Sequence, residues 1–144
     1  MLNWNQLHLG LEKASGRHRQ LESIFNRFAT DVVAQVTEEH FHIKGIGASW
    51  SIDQRFFTTN FAGRTLFFAF ESVFEEDGTV VGKVTCFLKK EFPVMEHIAI
   101  GDFTFNGKGR TNLLDPDENE PIIIDSEIVA LYVALHFIRE SLSR

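Results

Sequence analysis

The sequence predicts an α+β domain. It has an N-terminal helix, in one piece or two, then a five-stranded antiparallel meander, then a C-terminal helix, in two layers. Three observations carry this. Apolar residues recur at helical spacing over 4–36 and again after 126, and the region between them changes to period two. Glycine and Asp-Gly punctuation divides that region into short alternating runs. The 144 residues suit one domain, 1–144, with one core, and neither a repeat nor a linker interrupts them.

In the first helix Leu7, Leu11 and Ala14 recur at helical spacing, followed by Leu21, Ile24, Phe25, Phe28, Val32 and Val36. KASGRHRQ carries Gly16 and no apolar anchor, which predicts a break or kink near 15–17.

The first strand is expected over about 40–52. Its apolar positions switch from odd (Phe41, Ile43) to even (Ile46, Ala48, Trp50, Ile52), so a bulge at Gly45 is expected. RFFTTNF is the second strand, and a two-residue turn at Asp53-Gln54 sets Trp50 opposite Phe57. TLFFAFESVFEE and TVVGKVTCFLKK form a hairpin around Asp77-Gly78. A three-residue Glu76-Asp77-Gly78 loop pairs Phe74 with Val80, Phe70 with Val84, Phe68 with Cys86, Leu66 with Leu88 and Glu71 with Lys83. A two-residue loop sets Glu71 against Val84, so the face pattern selects the longer loop.

The fifth strand covers about 94–105, with a parity switch and hence a second bulge or bend at Gly101. Asn106-Gly107 has the chemistry to return the chain as a short edge strand, and 122–125 that of a last short strand, but the meander itself is read as five strands. The last helix starts near Ser126, with Asp125 or Ser126 as cap. Its expected buried stripe is Ile128, Leu131, Tyr132, Leu135, Ile138 and Leu142, widened by Val129, Val133 and Phe137.

Charge and composition exclude some functions. A net charge of −6 argues against nucleic acid and against an anionic membrane surface, since both demand Lys and Arg. The single cysteine, Cys86, excludes an internal disulfide. The start, MLNWNQLHLG, lacks a signal pattern, and no apolar run approaches a membrane span, so the expected location is cytoplasmic. Fifteen Phe against two Trp and one Tyr fit a core, an apolar pocket or a protein interface better than a carbohydrate or nucleic-acid surface.

The chemistry-bearing candidates weaken on inspection. Glu38, His40, His42 and Lys44 share one parity, so a His-x-His metal pair competes with the solvated face of a strand. Lys44 and the missing third ligand favour the solvated face. DPDEN, 115–119, begins like a calcium loop, but Glu120 stands where glycine is required and Ser126 where the bidentate Glu belongs. NGKGRT, 106–111, departs from the phosphate-loop pattern and reads as a turn. Cys86 falls among Phe68, Val84 and Leu88 and reads as a buried small hydrophobe. No cofactor, metal site or catalytic constellation is expected.

The sheet face away from the helices stands out. Phe67 faces Phe87, Val73 faces Val81, and Phe56 lies on the same side, with Glu71, Lys83 and Thr85 around them. The expected function is therefore a non-enzymatic protein-binding or accessory module. Its size, charge and layout are those of secretion chaperones, immunity proteins or antitoxins, and it would contact a protein partner or a second copy of itself through Phe56, Phe67, Val73, Val81 and Phe87. The alternative is an apolar small-molecule binder, or an enzyme, with a pocket between sheet and helices lined by Trp50, Phe57, Phe68 and Phe70.

Overall fold

The computed structural model describes residues 1–51 and 55–144. Among these residues lie two helices, α1 (Trp4–Val36) and α2 (Glu127–Ser141). Between them run β1 (Gly47–Ser51), β2 (Phe56–Phe61), β3 (Arg64–Phe74), β4 (Val80–Lys90), β5 (Glu96–Phe105), β6 (Arg110–Leu114) and β7 (Pro121–Ile123). Every neighbouring pair is antiparallel, and the strand order in the sheet is the chain order, β1 through β7. The α+β class is as expected. The strand number is corrected from five to seven, because the loop after β5 returns twice as short strands.

The expected break near Gly16 is absent, and α1 runs unbroken for 33 residues, about 50 Å at the helical rise. Asn3 caps it. Its side chain accepts from the Gln6 N–H (2.8 Å), while Gln6 Oε1 accepts from the Asn3 N–H (3.0 Å). A solvated helix tolerates one glycine at a cost of about 1 kcal/mol, and a Cβ on Gly16 would meet nothing within 4 Å.

The first strand is also corrected. Pairing begins at Gly47, and residues 37–46 form a connector in which Gly45 adopts φ +85°. The parity switch seen in the sequence therefore marks a turn before the strand, where only glycine is unstrained, and not a bulge within it. Trp50 pairs with Phe57 as expected. Ile52 and the turn at Asp53-Gln54 lie outside the described residues.

The β3–β4 register is that of the three-residue loop: Phe74 with Val80, Glu71 with Lys83, Phe70 with Val84, Phe68 with Cys86 and Leu66 with Leu88. Gly78 takes φ +83°, the left-handed conformation that this turn demands. Between β4 and β5, Cys86 pairs with Gly101 and Phe87 with Ala99, so Ile100 is the extra residue of a bulge beside Gly101. Ile100 is buried, whereas Val94 and Ile98 of the same apparent parity are exposed.

Both helices pack on one sheet face. Phe25 of α1 lies against Phe57 (6.1 Å between ring centroids) and Phe70 (5.2 Å), and Phe137 of α2 lies against Phe68 (6.0 Å) and Phe103 (6.0 Å). The expected face of α2 is corrected. Ala130, Val133, Ala134, Phe137 and Ile138 are buried, while Ile128, Tyr132 and Leu142 are exposed. This helix is apolar almost all round, so periodicity alone does not choose its face. The small Ala130 and Ala134 admit close packing against the core. Ser126 is its cap, accepting from the Val129 N–H (3.3 Å).

A Cβ on Gly82 would collide with the ring of Phe105 on the neighbouring strand. Gly82→Ala is expected to lower stability by about 1–3 kcal/mol in urea titration. The hydroxyl of Thr59, 1% exposed, has no hydrogen-bond partner among the described residues. Thr59→Val removes that buried polar atom at constant shape and is expected to raise stability by about 1 kcal/mol in the same assay.

Candidate functional site

Alternation in the strands divides the sheet into two faces of different chemistry. The face toward the helices carries Phe57, Phe68, Phe70, Phe103 and Phe105, all buried. The other face carries Phe56, Phe67, Val73, Val81 and Phe87, and neither helix covers it. The ladder pairs Phe67 with Phe87, Val73 with Val81, and Phe56 with Ala69. The rings of Phe56 and Phe67 lie 5.6 Å apart, and His97 meets the Phe67 ring edge-on at 5.1 Å. Val81 is 6% exposed, and the three phenylalanines and Val73 are half-buried. All five expected interface residues thus share one surface. Glu71, Lys83, Thr85 and Lys89 share that face by register and give it a polar margin.

The expected pocket residues lie on the opposite side and fill space. Phe57 and Phe68 stack at 4.6 Å with their planes 4° apart. Phe25 covers Trp50 (5.7 Å), Phe57 and Phe70. Three of the four are buried, with Trp50 half-buried at the sheet edge. Open clefts occur elsewhere. One of about 320 Å³ lies between the β6–β7 hairpin and α2, lined by Leu113, Leu114, Ile122, Tyr132, His136 and Arg139 among others.

His40 and His42 are exposed in the connector, not on a strand, and the His42 ring rests on Phe41 at 4.6 Å. Among the described residues no three His, Cys, Asp or Glu side chains group closely enough to hold a metal ion. In DPDEN, Asp115 Oδ1 accepts from the N–H groups of Asp117 (2.8 Å) and Glu118 (3.2 Å), so this carboxylate shapes the β6–β7 turn. Asp77 does similar work before β4. Hydrogen bonds from the Thr79 backbone and hydroxyl hold its carboxyl below the usual range.

Two surfaces escaped the sequence reading. The first is the N-terminal half of α1, whose burial begins only at Leu21. Trp4 (79% exposed), Leu7 and Leu11 form an apolar stripe on an uncovered arm. Their helical spacing was visible, but spacing does not reveal that the sheet ends before reaching them. The second is a pair of adjoining clefts, one where Lys13 and Arg17 of α1 meet the 77–80 turn and one where Arg17 meets the 106–110 turn. The cations of α1 and of the 106–110 turn stand about ninety residues apart in sequence, so only the fold brings them together.

No described helix is long and apolar enough to cross a membrane. Compared with protein-family models, curated proteins and solved structures, the chain matches none.

Cys86 sits on the helix-side face, 1% exposed, opposite Phe68. Burial pushes its thiol from the ordinary 9.0 up to about 12. The folded state therefore favours the protonated thiol. That stabilisation is complete below about pH 9 and is lost as pH rises toward 12. The native protein is expected to resist thiol reagents at about pH 8, reacting only as it unfolds. Cys86→Ala should flatten the alkaline decline in stability, read from urea titrations across pH.

Proposed function

We propose that this protein is a non-enzymatic protein-binding module that contacts a protein partner, or a second copy of itself, through the uncovered sheet face. The observation that carries this reading is the strip formed by Phe56, Phe67 and Phe87 with Val73 and Val81, on a face that neither helix covers. An apolar centre with a charged margin is the anatomy of a protein interface. Half-buried aromatic rings held on paired strands offer contact area with little left to order on binding. The exposed arm of α1 adds a second apolar surface, as an accessory protein that grips a partner would need. The expected setting is the cytoplasm.

A second reading, an apolar small-molecule binder, draws on the cleft between the β6–β7 hairpin and α2. Its apolar walls and the polar His136 and Arg139 suit a small ligand with one polar end. Native mass spectrometry of the freshly purified protein separates the readings, because a copurifying small molecule would favour this one.

The sheet-face reading is tested by Phe67→Ser combined with Phe87→Ser. Both side chains are half-buried and lie on the face away from the core, so thermal melting checks that the double variant remains folded. The wild type is expected to show a doubled mass by light scattering, or to retain a specific protein in affinity purification, and the double variant to lose either. A wild type that is monomeric, and whose captured proteins match those of the double variant, would refute it.

A further inference from the structure

We propose, independently of the sheet-face reading, that the cleft between the middle of α1 and the β5–β6 turn binds a small molecule carrying a diphosphate group. Two adjoining cavities, of about 310 and 450 Å³, share Arg17, Thr79 and Val80 in their walls. Lys13 lines the first, and Lys108 and Arg110 line the second. Four cations thus line these two adjoining cavities, with Arg17 common to both, in a chain whose net charge is −6. Among the described residues none of the four forms an ion pair. The one carboxylate in the lining, Asp77, accepts a hydrogen bond from the Thr79 N–H (2.9 Å).

The cleft is also built to hold its shape. Gln20 Nε2 donates to the carbonyl of Gly107 (3.0 Å), which fastens the turn to α1, and Arg17 Nη1 donates to Gln20 Oε1 (2.6 Å), which aims the guanidinium. A Cβ on Gly107 would meet the side-chain ends of Arg17 (2.5 Å to Nη1) and Gln20 (2.9 Å to Nε2), so both side chains lie directly against the turn. Asn106 Oδ1 accepts from the N–H groups of Lys108 (2.9 Å) and Arg110 (3.1 Å), which fixes the turn that presents both side chains. Those backbone donors are occupied, so an anion here is held by side-chain charge. Two arginine forks match phosphate oxygens and two lysines add point charge; less the Asp77 carboxylate, the four leave a net three positive charges for a diphosphate that carries about three. Val80 and Ile123 give an apolar wall for the organic part of such a molecule.

Calorimetric titration of the whole protein with inorganic pyrophosphate tests this, with citrate and a glutamate-rich peptide as comparison ligands. Pyrophosphate is expected to bind with a submillimolar Kd at about 50 mM salt and more weakly as salt rises. Arg17→Gln and Lys108→Gln should each raise Kd about tenfold. Gln20→Ala should raise it severalfold although it removes no charge, and Lys44→Gln, at an exposed position beyond the C-terminal end of α1, should not change it. All four positions are on the surface, and thermal melting checks that each variant is folded. Absence of heat, a wild-type Kd in Arg17→Gln, or tighter binding of citrate or of the peptide than of pyrophosphate would each overturn the proposal.

Discussion

The structure depends on a continuous seam of phenylalanine rings between the sheet and the two helices. Phe25 touches Phe28, Phe57 and Phe70, Phe28 touches Phe103, and Phe103 touches Phe137, which also meets Phe68. These contacts join α1, α2 and three strands through one residue type. Phenylalanine suits this task because it buries a large area, settles into tilted or stacked pairs, and carries no polar atom that needs a partner. The fit is close enough that Gly82 must lack a side chain to admit Phe105.

Filling that seam has consequences for the rest of the molecule. With both helices on one side, the other side of the sheet is left to solvent or to a partner. Its aromatic strip is therefore a surface feature and not half of a second core. The seam also ends at Leu21, although α1 continues for nearly five more turns toward its N-terminus. Helix propensity, the Asn3 cap and few tertiary contacts sustain that arm. Where the arm leaves the body, Gln20 holds the β5–β6 turn and is itself held by Arg17, and His18 shares a hydrogen bond with Ser72 (2.6 Å). The cationic cleft is formed at this junction.

Much of the fold was legible where one physical signal dominated. The span of α1 followed from apolar spacing. The β3–β4 register followed from a left-handed glycine together with the rule that a slip of one residue exchanges the faces. Other features were hidden because local patterns were ambiguous. A parity switch at Gly45 is equally a bulge or a turn. β6 (RTNLL) and β7 (PII) are only five and three residues long, too short to show a period, so their pairing depends on neighbours more than on their own composition. In α2 an almost fully apolar surface left the buried side undetermined, and Tyr132 and Ile128 proved exposed.

By itself, then, the sequence determined the element types, the central hairpin register and which residues share each sheet face, because period, turn chemistry and pleat are local properties of the chain. Only the tertiary structure decided the seven-strand count, the face that α2 buries, the free arm of α1 and the meeting of Arg17 with Lys108. Those depend on which distant surfaces approach one another, and no local pattern encodes a distance between segments ninety residues apart.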